Sequence, residues 1–246
     1  MFNRVIIKMS GELLGDDSDS NYSVQVIDRI VSEINEIVSR GTEVALVVGG
    51  GNIWRGRDAR SDMNKVVADQ IGMLGTIMNG LYLTEAFRLN GAKSVLMTPF
   101  DVNGFTEKFL REKALQYMKE KTIVIFGGGL GHPYFSTDTI AALRACELQA
   151  DALLYAKEGG VRECDPKVNP NAKFYKTLSY NAILQKNLAF ADATAISIAS
   201  DKETNLKTLV FSMKAAGNIV LACENKIFEI NGTYIKNNLE EEFYAD

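Results

Sequence analysis

The chain has 246 residues, 46% of them hydrophobic and 24% charged, enough for one sizeable α/β domain or two small ones. Its net charge of −4 excludes a global field favouring nucleic acid or anionic membrane, so an anionic ligand must be held by local cations and backbone amides. Cys146, Cys164 and Cys223 show neither a zinc spacing nor a disulfide framework, which points to a reducing cytosol, and no run nears the ~20 apolar residues of a membrane span.

Strands and helices alternate from the start. RVIIKM (4–9) reads as a strand, and Met1 to Leu14 lacks the pattern of a signal peptide. After the polar loop LLGDDSDSNYS, a helix over Val24 to Arg40 carries Ile27, Ile30, Val31, Ile34, Ile37 and Val38 at helical spacing, and Gly41 closes it. VALVV (44–48) is a run of apolar residues suited to a strand buried on both faces, and it ends in Gly49, Gly50 and Gly51. Glycines there add no strand or helix stability, so either something comes close to that backbone or they make a tight strand-to-helix turn with no ligand.

A long helix is expected over Met63 to Asn90, then strand SVLM, a helix over Glu107–Lys119, strand TIVIF, a helix over Thr137–Leu148 and strand ALLYA. Past Asp165 the rhythm loosens through PKVNPNAKF, then resumes with short helices near 179–187 and 191–200 and strand TLVF. In KIFEINGTYIK, an Asn-Gly pair between alternating apolar residues predicts a hairpin, and the acidic tail NNLEEEFYAD is expected to fray. There is no fixed-period repeat and no linker, so one domain over 1–246 is expected, with a mainly parallel sheet between helical layers.

In such sheets ligands bind beyond the carboxyl ends of the strands. Four glycine-bearing or polar turns lie there: KMSGE (8–12), VVGGGN (47–52), IFGGGLGHP (125–133) and AKEGGVRECDP (156–166). Together their amides could cradle several phosphates, although neither the P-loop nor the dinucleotide fingerprint is present. Lys8 abuts the first turn. A strand lysine is more often a solvated edge residue, but this position suits a phosphate contact. Asp138 and Asp192 each stand where they could simply cap a helix. His132, the only histidine, reads as a loop residue, and Trp54 as packing.

Between Ile71 and Leu83 only Thr76 and Asn79 are polar, and Gly72, Gly75 and Gly80 interrupt the apolar residues. Apolar side chains cover about half the circumference, more than the ~100° stripe needed against one sheet, so the helix is either buried wholly within its own domain or its surplus meets a second partner or stays as an exposed patch. The glycines suit close helix-on-helix approach.

IIKMSGE, VVGGGNIWRG, MNKVVADQIGMLGTIMNGL, GHPYFSTDTIAALRA, the loop ending in CDP, and ADATAISIA together resemble the amino-acid kinase family, and within it the bacterial uridylate kinases. The resemblance implies a three-layer αβα sandwich whose N-terminal part takes UMP and whose C-terminal part takes ATP with Mg²⁺. It implies phosphoryl transfer giving UDP in pyrimidine biosynthesis. Lys8, Asp138 and Asp192 match the catalytic positions, and Lys8, Ser10, Gly11, Gly51, Arg55, Ala156, Arg162 and Asp165 match the ATP side. Gly50 and Asp69 match contacts to UMP, the latter to its ribose. The acceptor-lining loop corresponds to Leu130, Gly131, His132, Pro133, Tyr134, Phe135, Ser136 and Thr137.

The adenine loop differs from the family pattern, with Gly159 in place of an Asp, Arg162 in place of an aromatic residue and Ala156 in place of a Thr. The hairpin and tail are expected to run past the family's usual end. The resemblance also implies pairing through the long helix, centred near Leu74 to Met78, within a homohexamer of three dimers in the cytoplasm. Two alternatives share the fold: a kinase for another small phosphate or carboxylate, and a non-catalytic nucleotide- or oxyanion-binding relative.

Overall fold

A computed structural model of the chain describes residues 1–15, 20–56, 60–164, 168–169, 171–204 and 206–245. The strands are β1 (Arg4–Met9), β2 (Glu43–Val48), β3 (Ser94–Thr98), β4 (Glu107–Lys108), β5 (Ile123–Phe126), β6 (Ala152–Lys157), β7 (Tyr175–Leu178), β8 (Lys207–Ser212), β9 (Thr233–Ile235) and β10 (Glu242–Phe243). They join one sheet in the order β10-β7-β9-β8-β6-β1-β2-β5-β3-β4, parallel except where β9 meets β8 and β10 meets β7. The helices are α1 (Val24–Ser39), α2 (Lys65–Leu89), α3 (Arg111–Lys119), α4 (Thr137–Glu147), α5 (Tyr180–Lys186), α6 (Ala193–Ala199) and α7 (Asn218–Cys223). Among the described residues no helix is long and apolar enough to cross a membrane.

Two cores lie on opposite faces of the sheet, and the period-2 alternation of the strands feeds both. Val5, Ile7 and Met9 of β1 pack with α1, α2 and α7, whereas Ile6 packs with α3 to α6. Val44, Leu46 and Val48 of β2 divide from Ala45 and Val47 in the same way. The same alternation sends Lys8 to the face of Ile6, where α4 lies.

Helix α2 reverses the usual arrangement. Its buried residues include Gly75, Thr76, Asn79 and Gly80, while Leu74, Met78 and Tyr82 stand outward. Ile77 and Leu83 turn inward with them, so the apolar surplus narrows to an outer stripe of Val67, Leu74, Met78 and Tyr82. The helical glycines pack against the protein's own sheet and turns. A Cβ on Gly80 would lie 2.5 Å from Leu96 Cδ1, and one on Gly75 3.5 Å from the carbonyl oxygen of Gly50.

Four expectations need correction. Glu107 and Lys108 form the edge strand β4, which pairs with β3, so the helix expected from Glu107 starts only at Arg111. Strand β7 and helix α7 carry too few periodic residues to be seen in sequence. The Asn-Gly pair makes no hairpin: Ile227–Ile230 is a 3₁₀ turn, Asn231 takes a left-handed conformation, and β9 pairs with β8. The tail is also tied down. Phe243 stacks on Tyr175 at 4.3 Å, Glu242 pairs with Lys176 at 2.7 Å, and the Tyr244 hydroxyl donates to the Gly232 carbonyl at 2.6 Å.

Deleting residues 240–246 removes that stack and the β10 edge. An aromatic pair is worth ~1 kcal/mol, and each such loss lowers Tm by about 2–4 °C at this size. Thermal denaturation followed by circular dichroism should show at least that drop; an unchanged Tm would mean that the tail is frayed after all.

Candidate active site

The site begins where β1 and β2 end side by side. Lys8 lies on the central strand and is only 5% exposed, so its ammonium needs a counter-charge. Asp138, on the first turn of α4, supplies it at 2.6 Å. That helix starts where it does because Ser136 caps it, accepting from the N–H groups of Asp138 and Thr139. A second lysine, Lys157 at the end of β6, stands 3.7 Å from the other Asp138 oxygen and donates to the Phe190 carbonyl. Burial holds its pKa below the ordinary lysine value despite the attraction of Asp138. Two cations thus share the Asp138 carboxylate.

The turns pack against this pair. Gly50 has α2 against its α-carbon, where a Cβ would sit 2.9 Å from the Gly72 carbonyl oxygen and 3.1 Å from the Thr76 nitrogen. Backbone atoms cannot swing aside, so only glycine fits. Among the described residues the N–H groups of Gly50, Gly51 and Asn52 have no acceptor, and three such donors in succession can take an anion. In IFGGGLGHP, Gly128, Gly129 and Gly131 all adopt positive φ, which explains that cluster. Thr76 ties it to α2 by accepting from the Gly128 N–H at 2.8 Å.

Two open clefts border the Lys8–Asp138 pair, the first at Thr137, next to Asp138, and the second at Lys157, which pairs with Asp138. One, of about 620 Å³, is lined by Gly50, Gly51, Trp54, Asp69, Met73, Thr76, Gly129, His132, Phe135 and Thr137 among others. The other, of about 1070 Å³, is lined by residues including Ser10, Glu12, Arg29, Lys157, Glu158 and Lys214. The first offers apolar walls with one carboxylate; the second is richer in cations. Such a pair suits two phosphorylated ligands meeting head to head.

Most of the expected residues gather here, with differences of role. Asp69 accepts from the Tyr134 N–H at 2.8 Å and pairs with Lys65 at 3.1 Å, so it latches the 130–137 loop to α2. Tyr134 holds a positive φ of 71° to make that contact and exposes its ring, while Leu130 packs against the core below. Ser136 and Thr139 both donate to Asp192, which also caps α6 through the Ala195 N–H at 2.9 Å. Asp192 therefore joins the N-termini of α4 and α6. Arg55 bridges the two turns, donating to the Gly51 carbonyl at 3.0 Å and pairing with Glu12 at 3.0 Å.

Others lie apart from the clefts. Ala156 is fully buried in the core on the α1 side. The Arg162 guanidinium lies 4.1 Å over the Phe174 ring and donates to the Ala172 carbonyl. Asp165 falls outside the described residues. Trp54 is more than packing: its Nε1 donates to the Ala68 carbonyl and its ring lines the first cleft. His132 lines that cleft too. Sequence reasoning missed Lys157 and Thr139. A lysine closing a strand beside the fourth turn was the available signal for the first; nothing marked the second.

The model of the amino acid kinase family matches residues 3–212. The chain belongs to the amino acid kinase family. Among solved structures, a UMP kinase from Bacillus anthracis is similar with a TM-score of 0.90 and 34% identity, over 99% of each chain. A UMP kinase from Ureaplasma parvum is similar with a TM-score of 0.87 and 34% identity, over 95% of this chain and 98% of that one. The family model ends at residue 212, short of the C-terminal segment as expected, but the coverage of these two structures gives that segment counterparts in them. The family's sheet thus carries the buried lysine, the glycine turns and both clefts on one rim.

Burial raises the Asp192 pKa, but hydrogen bonds from Ser136, the Ala195 N–H and Thr139 outweigh it and hold the carboxyl below its ordinary value. A lowered folded pKa stabilises the protein above the unfolded value of about 3.9, and the gain is lost as the pH falls through the folded value. Asp192→Ala should therefore cost ~1–2 kcal/mol near neutrality, the worth of a helix cap. The gap between parent and variant in urea titrations should shrink below about pH 4. A gap constant from pH 3 to pH 6 would contradict the carboxylate's role.

Proposed function

We infer that the protein transfers the γ-phosphoryl group of Mg·ATP to UMP, giving UDP and ADP in pyrimidine nucleotide biosynthesis. The observation that carries the reading is the buried Lys8–Asp138 pair beside two clefts, one lined by Thr137 and the Gly50–Gly51 turn, the other by Ser10 and by Lys157, which also pairs with Asp138. The likeness to two UMP kinases over at least 95% of the chain supports the acceptor.

In this reading the first cleft holds UMP. Asp69 accepts from ribose hydroxyls, Trp54 and Phe135 bracket apolar surface, and the free N–H of Gly50 meets the α-phosphate. The N-terminal part of the single domain supplies this side, with the 130–137 loop closing over it. ATP takes the second cleft, with Ser10, Gly11, Gly51 and Arg55 about its phosphates. Arg162 and Asp165 serve the adenine loop. Among the described residues no group of three carboxylates, histidines or cysteines could hold a metal alone. That donor set suits a Mg²⁺ that arrives on the phosphates of its nucleotide.

The nucleophile is already a phosphate oxygen, so no side-chain base is needed. Catalysis is positioning and charge neutralisation. Lys8 and Lys157 draw in the negative charge that shifts between donor and acceptor oxygens. Asp138 keeps both ammonium groups aimed, and Asp192 holds the α4 N-terminus that carries Asp138. The outward stripe of Val67, Leu74, Met78 and Tyr82 supports two-fold pairing near Leu74 to Met78, within a homohexamer. The three free thiols fit a cytoplasmic setting.

A coupled ADP-release assay with Mg·ATP and a panel of UMP, dUMP, CMP, AMP and GMP should show strong preference for UMP. Lys8→Met should lower turnover by ~10²–10³ or more. No turnover with any monophosphate would leave a binding protein instead, and near-parent turnover in Lys8→Met would remove the lysine from the chemistry. For assembly, light scattering with size exclusion should find a hexamer that Met78→Glu breaks; an active parent monomer at micromolar concentration would refute the pairing.

A further inference from the structure

Asn79 is fully buried in the middle of α2, less than one turn beyond Thr76, which lines the acceptor cleft, and has no place in the chemistry described above. A buried amide is costly unless all its hydrogen-bonding capacity is used. Here it is. Nδ2 donates to the Gly49 carbonyl at 2.6 Å and to Asn52 Oδ1 at 2.8 Å. Oδ1 accepts from the Tyr22 hydroxyl at 2.7 Å and from Asn52 Nδ2 at 3.2 Å. The Gly49 carbonyl can only accept, so it fixes which way the amide faces.

The paired amides of Asn79 and Asn52 sit against the first turn as well. A Cβ on Gly11 would lie 2.3 Å from Asn52 Oδ1, 2.6 Å from the Gly49 carbonyl oxygen and 2.8 Å from Asn79 Nδ2. The bare α-carbon of Gly11 is thus seated on the amide pair. The peptide between Gly49 and Gly50 is planar and trans, so holding the Gly49 carbonyl also sets the direction of the Gly50 N–H. That N–H is one of the three without an acceptor among the described residues. Tyr22 braces the assembly from outside, its ring stacked on Tyr82 at 4.3 Å.

We propose that Asn79 is a positioning residue: with Asn52 and Tyr22 it clamps the turn at Gly11 to the turn at Gly49–Gly51, fixing the spacing of the two phosphate cradles and the aim of the Gly50 N–H. It touches no substrate. The inference rests on the reading of these turns as the ATP and UMP sides of a phosphotransferase.

Steady-state kinetics with Mg·ATP and UMP on Asn79→Ala, Asn52→Ala and Tyr22→Phe test it, beside thermal melts of each. Misplacing reacting groups by about 1 Å can cost ~10²-fold in rate, so folded Asn79→Ala should lose at least about tenfold in kcat, with both KM values within about threefold. Asn52→Ala should lose a smaller factor, and Tyr22→Phe, which keeps the ring stack, the least. A merely structural residue would lower Tm and leave kcat intact below the melt, and that result overturns the proposal. If Asn79→Ala does not fold, parent-like kcat in Asn52→Ala overturns it instead. A parent that phosphorylates no nucleoside monophosphate would sink the underlying reading, whereas an active parent with fully active clamp variants sinks only the clamp.

Discussion

The fold is organised around one ammonium group that has no business in a hydrophobic sheet. Lys8 lies on the central strand with partners on both sides, and β1 is otherwise fully apolar inward of Arg4. Such a charge is tolerated only with a counter-ion, and removing one partner of a buried pair typically costs about 3–5 kcal/mol. The consequence is a chain of placements. Strand alternation sends Lys8 toward α4, Ser136 starts α4 where Asp138 faces the lysine, and Asp192 holds Ser136 and Thr139. A hydrophobic pair would be cheaper for stability. In the proposed mechanism, a cation that a phosphoryl group can approach is the reason to keep this one.

The second constraint is distance. For two phosphorylated ligands to meet over Lys8, as proposed, the backbone must let them in, and glycine is the residue that does so. Helix α2 serves those turns as well as the hydrophobic core. Its small and polar residues face inward to Gly49, Gly50 and Gly128 through Asn79, Gly72, Gly75 and Thr76. Ile77, Leu83 and Phe87 still join the core, while Val67, Leu74, Met78 and Tyr82 form the outward stripe.

Much of this was legible in the sequence because the patterns are strong where both faces are buried. β1 and β6 and the helices α1 and α4 fall within a residue or so of expectation, and the glycine turns marked the rim. What was hidden depends on partners distant in sequence. Two-residue strands such as β4 and β10 have no periodicity to detect. Asn231 and Gly232 offered hairpin chemistry, but the chain spent it on leaving a 3₁₀ turn. Asn79 read as a polar interruption of an apolar helix, since its four bonds reach Tyr22, Gly49 and Asn52. Arg162 stood at an expected adenine contact, yet its nearest aromatic face is the chain's own Phe174.

The central claim is that the phosphoryl group passes directly between the clefts, in line, with no covalent stop on the protein. A stereochemical assay tests this most directly. With UMP as acceptor and ATP made chiral at its γ-phosphorus by three oxygen isotopes, one in-line displacement inverts configuration, and the product UDP should carry an inverted phosphoryl group. Retention would require two displacements through a phosphorylated side chain, and would contradict the account.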